Sequence, residues 1–150
     1  MILIDTNALI VLLLGIIDKR LINRHERTSI YNEQDFNDLL AIIGSFDKLI
    51  VLPNVWTEVD NLLNRLHGRY KDRYVQEIIK TIKSTTETYL ESVKAAESVG
   101  FFDLGLTDSL LLEHAKGCKL LITSDSQLSD YALGYGIRVY DMVKSRNDRF

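Results

Sequence analysis

The sequence predicts a single α/β domain over residues 1–150, built as a three-layer sandwich around a central, mainly parallel β-sheet. Short apolar segments of strand length alternate along the chain with longer segments whose apolar residues recur at helical spacing. Such alternation indicates a parallel sheet covered by helices on both faces. Hydrophobic residues make up 46% of the chain and there is only one proline, so we expect one domain without long linkers.

The first strand and helix follow from the opening run MILIDTNALIVLLLGII, in which Asp5 stands between two apolar stretches. No Lys or Arg precedes the run, and its uninterrupted part of about ten residues falls short of the roughly 20 that a membrane span needs. We therefore expect a buried strand over Ile2–Ile4, a turn at Thr6 and Asn7, and then a buried helix. These features predict no membrane attachment, and the single cysteine, Cys118, favours a reducing cytoplasmic location and a core position.

The middle elements follow from apolar spacing and capping residues. A helix is expected after Asn32, and a strand over residues 49–52 is stopped by Pro53. The next helix takes Asn54 as its cap, and residues 74–96 continue the pattern as one long helix or two. These helices carry three predicted apolar faces: Phe36, Leu39, Leu40 and Ile43; Val55, Val59, Leu62, Leu63 and Leu66; and Val75, Ile78, Ile79, Ile82, Tyr89, Leu90 and Val93.

The last third of the chain predicts two helices and two strands. A helix begins with Thr107 as its cap and ends just before Gly117. A buried strand over Leu120–Thr123 follows, then a short helix over residues 126–136 and a final strand over residues 137–142.

Four carboxylates fall at the starts of predicted elements. Asp5 and Asp125 each follow a strand, and in parallel sheets ligands bind beyond the carboxyl ends of the strands. Glu58 lies on the apolar stripe of its helix, where an acid is uncommon unless it is paired or bound to metal. Asp108 opens a later helix, a position that Asp also favours for its interaction with the helix dipole. Glu58, Asp108 and Asp125 each have a simple structural explanation alone, and Asp5, between two apolar runs, is the hardest to explain in that way. Together the four predict a site that needs a cation.

Several segments carry a family resemblance, and they occur in the order LIDTNALI, LPNVWTEVDNLL, GLTDSLLLEHA and LLITSDSQL, with GIRVYDM near the end. Over nearly the whole chain they resemble the PIN domain, a family of metal-dependent nucleases that includes the VapC-like toxins. The resemblance implies four catalytic acids: Asp5, Glu58, Asp108 and Asp125. It implies that Asp5, Asp108 and Asp125 hold Mg²⁺ or Mn²⁺, directly or through water, and that Glu58 orients or deprotonates the attacking water. The implied reaction is hydrolysis of phosphodiester bonds in single-stranded RNA.

Two polar residues match supporting positions of the family. Asn7 and Thr123 are expected to hold the carboxylates through hydrogen bonds. The chain departs from many members at Gln127, where an acid or Asn is common, and in a longer spacing between the first two acids, whose extra residues fall in 18–35. These departures permit an alternative, a catalytically inactive PIN-like module that binds RNA or protein.

Basic residues supply the predicted substrate contacts, although the net charge of −3 does not by itself indicate nucleic-acid binding. The segment NRLHGRYKDRY contains four predicted substrate-binding residues: Arg65, Arg69, Lys71 and Arg73. Tyr70 and Tyr74 lie among them and suit base stacking. The segment DKRLINRHER holds a second basic cluster: Lys19, Arg20, Arg24 and Arg27. An ordinary solvated surface explains either cluster equally well.

Partners and other enzyme classes follow from the same residues. A toxin would have an antitoxin-like inhibitor protein, and the apolar stripes of the middle helices suit a homodimer as well as core packing. A dinucleotide-binding enzyme would carry a glycine-rich turn where DTNALI stands. An aspartyl-phosphate enzyme would use Asp5 as its nucleophile, but the chain offers no lysine partner at a strand end, and a haloacid-type enzyme would carry an acid in place of Asn7.

Overall fold

Five parallel strands form the central sheet of the computed structural model, which describes residues 1–150. The sheet order is β3-β2-β1-β4-β5, so the first strand lies in the middle. The strands are β1 Ile2–Ile4, β2 Leu49–Val51, β3 Thr86–Glu87, β4 Leu120–Thr123 and β5 Val139–Asp141. Helices flank this sheet, which confirms the predicted three-layer α/β sandwich.

Eight α-helices connect the strands and cover the sheet. They are α1 Thr6–Ile17, α2 Glu33–Ile43, α3 Pro53–Leu63, α4 Gly68–Ser84, α5 Ser92–Ala96, α6 Phe101–Ala115, α7 Ser126–Gly134 and α8 Met142–Asn147. Three short 3₁₀ turns add Lys19–Arg24, Glu26–Thr28 and Phe46–Lys48. No helix combines the length and the hydropathy that crossing a bilayer requires.

Helix α1 is the centre of the core because it is apolar on nearly every side. Every residue from Ala8 to Leu14 is inaccessible to solvent, and α2, α3 and α4 all pack against this helix. A helix that is hydrophobic all round must be buried, which explains the apolar run after Asp5. Gly15 lets α2 approach closely, since a Cβ at this position would overlap the ring of Phe36.

The helix after β2 begins two residues earlier than predicted. Pro53 opens α3 and Leu52 is the N-cap residue, so the prediction that Asn54 caps the helix is wrong. The physical reason is that proline is pre-organised for the first helical position, where its missing N–H costs nothing. Pro53 therefore ends the strand and begins the helix.

The expectation of one or two helices over residues 74–96 is partly wrong. Helix α4 starts earlier, at Gly68, and ends at Ser84, after which the chain forms the short edge strand β3 and then α5. Of the predicted apolar face of α4, Ile78 is buried whereas Val75, Ile79 and Ile82 are exposed.

The prediction that Thr107 caps a helix is also wrong, because the helical segment of α6 that contains Thr107 begins directly after the break at Gly105. This helix starts at Phe101 and is interrupted at Gly105, whose φ of 76° lies in the left-handed region that glycine adopts without steric cost. The predicted final strand is shorter than expected, since Met142 already begins α8.

Candidate acidic active site

All four predicted acids line one pocket of about 340 Å³ at the carboxyl edge of the sheet. The lining residues are Asp5, Thr6, Asn7, Arg27, Glu58, Leu104, Leu106, Thr107, Asp108 and Asp125. The parallel topology explains this arrangement, because β1, β2 and β4 are adjacent and end at the same edge.

Asp5 is the most buried of the four acids, with 4% of its surface exposed at the junction of β1 and α1. Its Oδ1 accepts a hydrogen bond of 2.9 Å from the Ala8 N–H and caps α1. Its Oδ2 accepts bonds from the Thr123 hydroxyl (2.6 Å) and the Ser124 N–H (2.8 Å). Burial raises the pKa of Asp5, the three hydrogen bonds oppose that rise, and the nearby Asp125 charge adds to it.

Thr123 and Asp125 join the end of β4 to the pocket. The Thr123 side chain is buried; its Oγ1 donates to Asp5 and accepts a bond of 2.9 Å from the Asp125 N–H. Asp125 caps α7 through Oδ1, which accepts a 2.8 Å bond from the Leu128 N–H. Thr123 thus holds one acid and the backbone of another in a set geometry, in agreement with its predicted supporting position.

Asp108 lines the pocket, and no hydrogen bond to its carboxyl group offsets its burial. The break at Gly105 turns the chain so that residues on both sides of it, Leu104 and Leu106, line the same pocket. Burial, and to a lesser extent the charges of Asp125, Asp5 and Glu58, together raise the pKa of Asp108 to about 7. A cation in the pocket would stabilise the ionised form of this carboxyl group and so lower its pKa.

Glu58 is paired within the protein. Its Oε1 lies 2.8 Å from Arg27 Nη2, and its Oε2 accepts a bond of 3.2 Å from the Thr6 hydroxyl. Arg27 Nε also donates to Asn7 Oδ1 over 3.2 Å. Asn7 therefore contacts the arginine, whereas its sequence position predicts a contact with a carboxylate.

Of the polar pocket residues that contact Glu58, Thr6 was not considered as a site residue and Arg27 was named only as a member of a candidate basic cluster. Thr6 follows Asp5 directly in the DTN motif, so its place in the motif was the available signal. Arg27 belongs to the second basic cluster of the sequence, in the charged segment between α1 and α2. Nothing local distinguishes it from its basic neighbours, because its contact with Glu58 spans 31 residues of sequence.

The predicted substrate-binding residues lie outside this pocket: Arg65, Arg69, Lys71 and Arg73. Arg73 Nη2 donates to the Ile16 carbonyl over 3.2 Å. That carbonyl is at the far end of α1 from Thr6, about 15 Å away at 1.5 Å per residue. Lys71 contacts the side chain of Asn64. The structure therefore does not bring these four residues together with the acids.

The donor set of the pocket suits a hard divalent cation, because carboxylate oxygens are the ligands that Mg²⁺ and Mn²⁺ prefer. As the side chains stand, no three His, Cys, Asp or Glu residues are grouped closely enough to hold a metal ion directly. Mg²⁺ is commonly held by one or two carboxylates and several waters, so this spacing fits an ion bound partly through water. The uncompensated carboxyl group of Asp108 favours such an ion.

Fold and pocket together define the class of protein: a parallel α/β sandwich with an acidic pocket at the carboxyl edge of its sheet. No protein-family model matches the chain, and no curated protein matches its sequence. Any assignment of activity therefore depends on the pocket itself.

Proposed function

We propose that this chain is a PIN-like, metal-dependent ribonuclease that hydrolyses phosphodiester bonds of single-stranded RNA. The observation that carries the proposal is the gathering of four carboxylates, from four separate segments, in one pocket at the carboxyl edge of the sheet. Carboxylates repel one another, so a protein that gathers them needs a cation there. A divalent cation held there could polarise a phosphoryl oxygen and activate a water for attack on it.

The proposed roles follow from the surroundings of each acid. Asp5, Asp108 and Asp125 would hold Mg²⁺ or Mn²⁺, directly or through water. When bound, the ion lowers the pKa of a coordinated water and neutralises charge on the phosphate. Asp5 is fixed by three hydrogen bonds and so offers a pre-oriented oxygen. Glu58 would orient the attacking water and accept its proton.

Substrate and partners belong to the same proposal. The four exposed or half-exposed basic residues near α4 would contact the backbone of a longer RNA outside the pocket. As a toxin, the protein would act in the cytoplasm and bind an antitoxin-like inhibitor. The exposed stripe of Val75, Ile79 and Ile82 on α4 offers a second copy of the chain an apolar face.

A catalytically inactive PIN-like binding module is the second candidate. One observation favours it: Arg27 forms an ion pair with Glu58, the acid proposed to act on water. Such a protein would bind RNA or another protein through the same surfaces without cleaving it.

Cleavage of a labelled single-stranded RNA by the purified protein separates the two candidates. We expect cleavage with Mg²⁺ or Mn²⁺, none in EDTA, and a loss of activity in Asp5→Asn. The matched control is Asp130→Asn, which changes an exposed acid of α7 outside the pocket. Absence of metal-dependent cleavage by the wild-type protein on any RNA would favour the binding module.

A further inference from the structure

Arg27 is the one basic side chain that lines the acidic pocket. It comes from the 3₁₀ turn Glu26–Thr28, in the segment between α1 and α2. Two contacts fix the backbone of this turn: the buried Thr28 hydroxyl donates to the Ile22 carbonyl over 2.6 Å, and the Arg27 N–H donates to His25 Nδ1 over 3.1 Å. Arg27 therefore projects into the pocket from a positioned backbone.

The guanidinium group is held along one side only. Nη2 donates to Glu58 Oε1 over 2.8 Å and Nε donates to Asn7 Oδ1 over 3.2 Å, and neither bond uses Nη1. Since the group carries five N–H donors in a planar fork, donors remain for a ligand. A planar fork with free donors matches the geometry of a phosphate.

We propose that Arg27 is a substrate-binding residue that positions an RNA phosphate at the acidic pocket; this inference rests on the proposed ribonuclease function. Four carboxylates repel a phosphodiester, so RNA binding requires positive charge from the bound metal ion and from basic side chains. Arg27 supplies fixed positive charge inside the pocket, whereas the basic residues near α4 lie outside it. Glu58 and Asn7 hold the guanidinium before RNA arrives, which lowers the entropy lost on binding.

RNA and metal binding by two variants test this role. A fluorescein-labelled single-stranded RNA is titrated in Ca²⁺, with its integrity checked on a gel, and Mn²⁺ alone is titrated by calorimetry. Arg27→Gln is expected to weaken RNA binding about 10–100-fold, the scale of lost hydrogen bonds to a charged group. The slope of log affinity against log salt should fall by about 0.7, as for one lost contact to a single strand. Arg27→Lys should be intermediate, because an ammonium group keeps the charge but loses the fork.

The matched control is Arg138→Gln, which changes an exposed arginine just before β5, at the opposite edge of the sheet. It should leave RNA affinity within about twofold, and unchanged melting temperatures exclude unfolding as the cause. Wild-type RNA affinity in Arg27→Gln, with tighter Mn²⁺ binding, would overturn the inference and make Arg27 a counter-ion of Glu58; the ribonuclease proposal would stand if the wild type cleaves RNA. A wild-type protein that neither binds nor cleaves RNA would overturn both.

Discussion

The four acids of the pocket differ in what surrounds each carboxyl group. Asp5 accepts three hydrogen bonds, Glu58 is paired with Arg27, and no hydrogen bond offsets the burial of Asp108. One carboxylate oxygen of Asp125 accepts the hydrogen bond that caps α7. These differences predict different consequences for substitutions that are chemically alike.

Substitution of Glu58 and of Asp5 should separate proton transfer from metal binding. Glu58→Gln is expected to lower RNA cleavage by roughly 10²–10⁴-fold, the scale of general acid–base catalysis, and excess Mn²⁺ should not restore it. Asp5→Asn should also lose cleavage, but excess Mn²⁺ should recover part of it because the loss lies in metal affinity. Both are measured as cleavage rates against Mn²⁺ concentration. Full recovery of Glu58→Gln by metal would instead make Glu58 a ligand.

The pKa of Asp108 predicts a pH-dependent effect of its replacement. Burial and the neighbouring acids raise this pKa from 3.8 to about 7 in the folded protein. The folded state therefore binds the proton more tightly than the unfolded state, and the stability linked to that proton is complete below pH 4 and lost as the pH rises through 7. In EDTA, Asp108→Asn should be more stable than the wild type at pH 8 and equal to it near pH 4.

Urea unfolding of both proteins at pH 4, 6 and 8 checks this expectation, with Asp130→Asn as the exposed control. A difference between Asp108→Asn and the wild type that stays constant across these pH values would contradict the raised pKa.

Helix α1 contacts α2 at Gly15, although the backbone conformation there does not require a glycine. Gly15 adopts helical geometry, and its role is to make room for the ring of Phe36. Gly134, the last residue of α7, has open space around the position of a Cβ and no positive φ. The two glycines therefore form a matched pair for substitution.

Gly15→Ala should destabilise the protein by about 1–3 kcal/mol, because overpacking outweighs the gain of about 1 kcal/mol in helix propensity. Gly134→Ala should be neutral or slightly stabilising. Thermal or denaturant unfolding measures both. A Gly15→Ala protein as stable as the wild type would show that Phe36 can move away without cost.

Among the elements, those predicted well carry strong local signals. Helix α2 begins after Asn32 as predicted, because Asn32 and Asp35 form a capping box. Strand β3 was not predicted, since its two residues, Thr86 and Glu87, are exposed at the sheet edge and show no apolar pattern. The break in α6 depends on the backbone of Gly105, which an isolated glycine in a sequence does not reveal.

At the scale of the whole molecule, the topology is what joins the acids. Three of the acids follow β1, β2 and β4, which are neighbours in a parallel sheet, and α6 adds Asp108, so that four positions spread over about 120 residues meet in one pocket. The folded chain therefore concentrates negative charge that the unfolded chain disperses. Metal binding and folding should be linked through this pocket.

Mg²⁺ or Mn²⁺ should raise the melting temperature of the wild-type protein, because an ion that binds only the folded state stabilises it by mass action. Asp5→Asn should shrink that rise, while Asp130→Asn should retain it. Scanning calorimetry across millimolar metal concentrations makes the comparison. No metal-dependent shift in the wild type would exclude a divalent site of useful affinity.

The sequence by itself determined the α/β class, the buried central helix and the acids that end up in the pocket. Apolar periodicity and strand ends are local features, and parallel strands share one carboxyl edge. Only the tertiary structure decided that Arg27 joins the acids, that Asn7 contacts this arginine, and that Asp108 is buried beside the other acids. These contacts depend on side chains far apart in the chain, and on burial, which exists only once the core has formed.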